Sequence, residues 1–93
     1  MKVIFLSKFN KDIRKLNDTL IKNMLIEVIE SLENANQISD IKNCKKLAGH
    51  KTAYRIRIGN YRLGFFYENG EIELTRFAKR NDIYKLFPIL LSF

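Results

Sequence analysis

Tyr54-Arg55-Ile56-Arg57-Ile58-Gly59-Asn60-Tyr61-Arg62-Leu63-Gly64-Phe65-Phe66-Tyr67 is the stretch whose reading decides the fold. In its first half Tyr54, Ile56 and Ile58 interleave with Arg55 and Arg57. A period of two belongs to a strand with one buried face. Gly59-Asn60 supplies a two-residue turn, and glycine at its first position suits type II′. The chain then returns through residues 61–67 as a second strand. With the loop at 59–60, Ile58 faces Tyr61, Arg57 faces Arg62, Ile56 faces Leu63 and Arg55 faces Gly64. Asn69-Gly70 is a stronger turn signal, of type I′, and leads into a last strand over 71–77. The three strands form an antiparallel meander.

Upstream, residues 2–6 are an unbroken apolar run after Lys2, which predicts a strand buried on both faces or nearly so. Phe9, Ile13 and Leu16 recur at helical spacing, and Asn17 breaks that helix. Asp18 is the expected N-cap of the next one. There Ile21, Met24, Leu25, Val28, Ile29 and Leu32 make one apolar stripe. Residues 34–43 are polar and read as a loop. Downstream, 82–87 read as a short helix or turn ended by Pro88, and the apolar tail 89–93 is either core or interface. The expected fold class is α+β. An N-terminal strand and a helical hairpin precede the meander, and the helices pack on one face of it within a single domain, 1–93.

Ninety-three residues leave room for one domain, and 46% hydrophobic with 29% charged residues is the balance of a folded globule, not a disordered chain. The lone cysteine, Cys44, has no intrachain partner for a disulfide. The first apolar run is too short for a signal-peptide core or a membrane span. A cytoplasmic protein without a membrane association is expected. The net charge is +7, and it is segregated. Residues 1–40 carry six basic and six acidic groups, whereas 41–93 carry eleven and four. Such a patch is either a polyanion site or a solvated basic face.

Strand geometry sharpens that choice. Arg55, Arg57 and Arg62 share the face turned away from the helices, with Arg57 directly opposite Arg62. Opposed like charges cost up to about 1 kcal/mol per pair in a sheet. Three guanidinium forks around Gly64 make an anion cradle able to grip phosphate oxygens bidentately. The plain alternative is a basic outer face with no ligand. Cys44 and His50 stand alone at spacings unsuited to zinc. No glycine-rich phosphate loop is present, and Glu68, Glu71, Glu73 and Asp82 do not pair into a two-metal constellation. Neither a cofactor nor a metal is expected, so any nuclease built on these residues is a metal-free one.

Three motifs together resemble the RelE branch of the RelE/ParE toxin superfamily: Lys46-Leu47-Ala48-Gly49-His50, then Tyr54 through Leu63, then Ala78-Lys79-Arg80-Asn81-Asp82-Ile83-Tyr84. The order of elements is similar to that family's over essentially the whole chain. The resemblance implies the toxin of a type II toxin–antitoxin pair, a ribosome-dependent messenger-RNA endonuclease restrained by a cognate antitoxin. It implies attack of a 2′-hydroxyl on the adjacent phosphate, leaving a cyclic phosphate and a free 5′-hydroxyl. Carried onto this chain, Arg55, Arg57, Arg62 and Arg80 would clamp the scissile phosphate, and Tyr84 would stack on a base or assist proton transfer. Lys46, Lys51 and Lys79 would be auxiliary phosphate contacts or merely solvated. Some family members carry lysine where this chain has Arg55 and Arg57. Arginine does not give up its proton, so the base is left unassigned, with Tyr84 the best remaining candidate. Two other readings stand beside this one. The ParE-like branch uses the same scaffold to block DNA gyrase without cutting anything, and a non-catalytic RNA-binding module would keep the fold alone.

Overall fold

The computed structural model describes residues 1–88. Its elements are β1 (Lys2–Phe5), α1 (Ser7–Arg14), α2 (Thr19–Asn34), a 3-10 turn (Ile38–Asp40), β2 (Cys44–Lys46), β3 (Ala53–Ile58), β4 (Tyr61–Glu68), β5 (Glu71–Lys79) and α3 (Arg80–Leu86). The strands make one sheet in the order β1-β5-β4-β3-β2. Among the described strands only the β1–β5 pairing is parallel. The α+β class and the meander are as expected, and the role of the tail 89–93 lies outside the described residues.

Local chemistry accounts for the meander. Gly59 has φ +57° while Asn60 is not in the left-handed region, which is the type II′ pattern. At the next turn Asn69 (φ 52°) and Gly70 (φ 78°) are both left-handed, as type I′ requires. The β3–β4 register is the one read from the sequence: Ile58 to Tyr61, Arg57 to Arg62, Ile56 to Leu63, Arg55 to Gly64. Between β4 and β5 the register shifts at Gly64/Phe65, so Gly64 faces Arg76 while Phe65 faces Leu74. That bulge leaves Thr75 over and returns Phe77 to the core face beside Leu74.

The main core lies between this face and the helical hairpin. Phe9, Leu16, Ile21, Leu25 and Leu32 meet Ile56, Ile58, Leu63, Phe65, Ile72, Leu74 and Phe77. Burial of each such side chain stabilises the fold by roughly 1.5–3 kcal/mol. Asp18 caps α2 as expected, its carboxylate accepting from the Ile21 N–H at 3.1 Å. Where β1 stops, α1 takes over the open edge of β5. Asp12 accepts from Arg76 Nε (2.9 Å), Arg76 Nη2 (3.1 Å) and the Phe77 N–H (2.9 Å), standing in for the missing strand.

Three features depart from the sequence reading. β1 is not buried on both faces: it is an edge strand with Lys2 and Phe5 exposed and Val3 and Ile4 half-buried. An apolar run reports hydrophobicity but not how many neighbours the strand will have. The 34–43 segment contains a 3-10 turn, and directly after it β2 extends the sheet beyond β3. Three residues are too few to display alternation. Finally, α1 and α2 pack on one face, but α3 lies on the other. There Ile83 and Phe87 join Ala53 in a second cluster, with Leu47, Phe66 and Ala78 against it.

Candidate nucleic-acid interface

Alternation on β3 brings Arg55 and Arg57 to the α3 side of the sheet, and the hairpin register brings Arg62 of β4 beside them. Arg62 is only 9% exposed. Its Nη1 donates to the carbonyls of Gly59 (3.1 Å) and Tyr61 (2.9 Å), so the side chain folds back onto the turn that created the hairpin. Both Nη1 hydrogens are thereby used, while the Nε–Nη2 edge, the fork that grips an oxyanion side-on, makes no hydrogen bond among the described residues. Arg55 Nη1 reaches the Asn43 carbonyl at 3.4 Å and Arg57 Nη2 reaches Asn43 Oδ1 at 3.3 Å.

The fourth arginine arrives from a different element. β5 runs directly into α3, and the Arg80 N–H donates to the Asn60 carbonyl at 2.9 Å. That bond ties the start of α3 to the β3–β4 turn. Tyr84 follows one helical turn later and is 56% exposed. Burial pushes the Arg62 guanidinium below its usual pKa, Arg55 adds to the effect, Tyr84 opposes it, and Arg80 and Arg57 lower it further. The groups acting on Arg62 are thus the other four members of the set. Among the described residues the ion pairs are Lys2–Glu71 and Arg76–Asp12, and none of the four site arginines has a carboxylate partner. Among the described residues Arg55, Arg57 and Arg62 lean on carbonyl oxygens and not on carboxylates, which leaves the patch strongly attractive to an anion.

Two of the three lysines fall elsewhere. Lys46 pairs with Tyr54 and Lys79 with Tyr61, and both tyrosines pack against the main core, so both lysines sit on the α1–α2 side. Lys51 is exposed in the loop between β2 and β3. The basic residue that the register puts on the arginine side is Lys45, opposite Arg55. Sequence reading missed it because β2 was not recognised. Asn43 was also missed. It sits at φ +60°, a conformation that asparagine tolerates, and no local pattern announces that two arginines will lean on it. Cys44 is a half-buried neighbour whose thiol burial pushes up to about 11, with Arg55 opposing, so it stays protonated and unreactive at neutral pH. No group of three or more His, Cys, Asp or Glu residues suited to a metal ion occurs among the described residues.

No family model matches the chain. It is, however, 37% identical over 89 residues to toxin RelE3 of Methanocaldococcus jannaschii, covering 95% of this chain and 100% of that protein. The chain belongs to the RelE toxin family. Among solved structures, this RelE-family chain resembles the toxin of the RelB–RelE antitoxin–toxin complex from Methanococcus jannaschii, with a TM-score of 0.77 and 32% identity over 91% of this chain and 99% of that one. The archaeal RelE–RelB complex from Pyrococcus horikoshii shares the fold at a TM-score of 0.68 and 20% identity, over 88% and 97% of the two chains. The RelE toxin fold is therefore a property of this chain, as the three motifs and the order of elements implied.

Proposed function

We propose that this RelE-family toxin is an endoribonuclease that cuts messenger RNA on the ribosome, in the cytoplasm, and that a cognate antitoxin holds it inactive. The observation that carries the reading is one patch of four guanidinium groups and a tyrosine, drawn from β3, β4 and α3, with no arginine of the patch paired to a carboxylate among the described residues. In the reaction the ribose 2′-oxygen attacks phosphorus, the bond to the 5′-oxygen breaks, and the products are a 2′,3′-cyclic phosphate and a 5′-hydroxyl. The transition state carries more negative charge on phosphate oxygens than the substrate does, and guanidinium forks already in place favour it selectively. Arg62 offers its open Nε–Nη2 edge to two of those oxygens. Arg55, Arg57 and Arg80 surround the same charge. Tyr84, exposed at the rim, stacks on the neighbouring base or passes the 2′-hydroxyl proton.

The antitoxin is inferred from the solved relatives, which are antitoxin–toxin complexes. A partner of this type covers basic and apolar surface with an amphipathic segment. Exposed apolar side chains at Phe5, Leu20 and Ile26 are surface of that kind. The test is messenger-RNA cleavage in a translating extract with Arg62→Ala and Arg80→Ala. Each variant should lose about 100-fold or more in cleavage, the scale set by removing one oxyanion donor, while still binding its antitoxin. Undiminished cleavage by both variants, or inhibition of gyrase supercoiling by a chain that cuts no RNA, would overturn the reading.

A further inference from the structure

Gly64 stands in the middle of the arginine face. Arg55 lies across from it on β3, Arg76 on β5, and Arg62 and Phe66 flank it on the same side of β4. Its backbone is not in the left-handed region, unlike Gly49, Gly59 and Gly70, so conformation does not call for glycine here. A strand interior loses packing and entropy by having one. What occupies the vacant space is the ring of Phe87. A Cβ on Gly64 would lie 2.4 Å from Phe87 Cδ2, 2.6 Å from Cγ and 2.9 Å from Cε2. Carbon atoms settle at about 3.5–4.0 Å, so a methyl group and this ring exclude each other. Phe87 is 1% exposed, tilts against Phe66 with centroids 5.0 Å apart, and shares its cluster with Ala53 and Ile83.

The seat matters because of what α3 carries. Seven residues are too few to hold a helix in place by themselves, so its orientation is set by what it packs against: Ile83, fully buried mid-helix, and the contacts at its two ends. At the start is the Arg80–Asn60 backbone bond, and at the far end is Phe87 in the notch over Gly64. Arg80 and Tyr84 form one i, i+4 stripe and Ile83 and Phe87 the adjacent one. Fixing the second stripe aims the first.

We propose that Gly64 and Phe87 are a notch and ring that seat α3, and that this seat positions Arg80 and Tyr84 over Arg55, Arg57 and Arg62. Both are positioning residues that need not touch RNA. The inference rests on the ribonuclease reading for its catalytic consequence, but the seat itself has an independent readout. Gly64→Ala should displace the ring and with it α3. A misplacement of about 1 Å costs up to about 100-fold in rate, so on programmed ribosomes kcat should fall about tenfold to 100-fold. KM should rise by less than kcat falls, because the strand arginines keep their hold on RNA and only Arg80 and Tyr84 move. In amide NMR spectra the resonances of residues 80–87 should move while those of α2 stay. In a Phe87→Ala background the same Gly64→Ala change should cost nothing more, because the excluding ring is gone. If Gly64→Ala does not fold, Phe87→Leu serves instead and should give the same kcat loss and α3 shifts. Additive effects, or α3 resonances unmoved in Gly64→Ala, would overturn the seat. Should Arg62→Ala cut normally while α3 shifts in Gly64→Ala, the ribonuclease reading fails and the seat stands. Should Arg62→Ala be dead and Gly64→Ala fully active, the reverse holds.

Discussion

A guanidinium that is 9% exposed, has no carboxylate partner among the described residues and stands among three other arginines is a strain on the fold, since uncompensated buried charge is destabilising. Two turn carbonyls offset part of that cost for Arg62 and fix its plane at the same time. Lysine at this position would keep the charge and lose the plane. Arg62→Lys should therefore lower RNA cleavage by about 100-fold or more, with unfolding free energy within about 1 kcal/mol of the parent by urea titration. Cleavage at the parental rate would mean that a point charge suffices and that the fork has no role. Arg55, Arg57 and Arg62 were legible at this scale because strand alternation and a two-residue turn dictate which side chains neighbour one another. Asn43 and Lys45 were not. Their relation to the arginines depends on a three-residue strand from a segment that carries no periodicity.

Elements meet through interactions of long sequence separation, and Asp12 is the clearest. It lies on α1, yet it satisfies the backbone of β5 at Phe77 and both nitrogens of the Arg76 fork. Side-chain exposures of 16% for Arg76 and 11% for Asp12 place the pair mostly out of water. Asp12→Ala leaves a guanidinium and an N–H without a partner. It should lower unfolding free energy by about 1–3 kcal/mol in urea titrations, whereas Glu33→Ala, on an exposed position of α2, should change it by less than about 0.5 kcal/mol. An Asp12→Ala chain as stable as the parent would show that water replaces the carboxylate at the β5 edge. The same edge explains why β1 was misread. Its apolar run is that of a central strand, but α1 leaves at Ser7 and one flank of β1 stays open.

On the scale of the whole molecule, the excess charge of +7 is gathered on the half of the chain that builds β2 to α3. Binding of single-stranded RNA through such a patch releases counterions, with a slope of about −0.7 in log affinity per log salt for each phosphate neutralised. Four arginines predict a slope of about −3, and Arg57→Ala should reduce its magnitude by about 0.7. Titration of an uncleavable 2′-deoxy-substituted RNA at several salt concentrations measures both. A slope near zero would separate the patch from RNA binding altogether. Local sequence determined the helical hairpin, the Asp18 cap of α2, the β3–β4 register and hence the trio of strand arginines, because periodicity, turn chemistry and alternation act between residues close in the chain. Only the tertiary structure decided that β1 would be an edge, that Lys45 and not Lys46 would join the arginine side, and that α3 would cross to that side and lodge Phe87 over Gly64. Those outcomes depend on which distant surfaces fit together, and close packing between segments far apart in sequence leaves no periodic trace in either one.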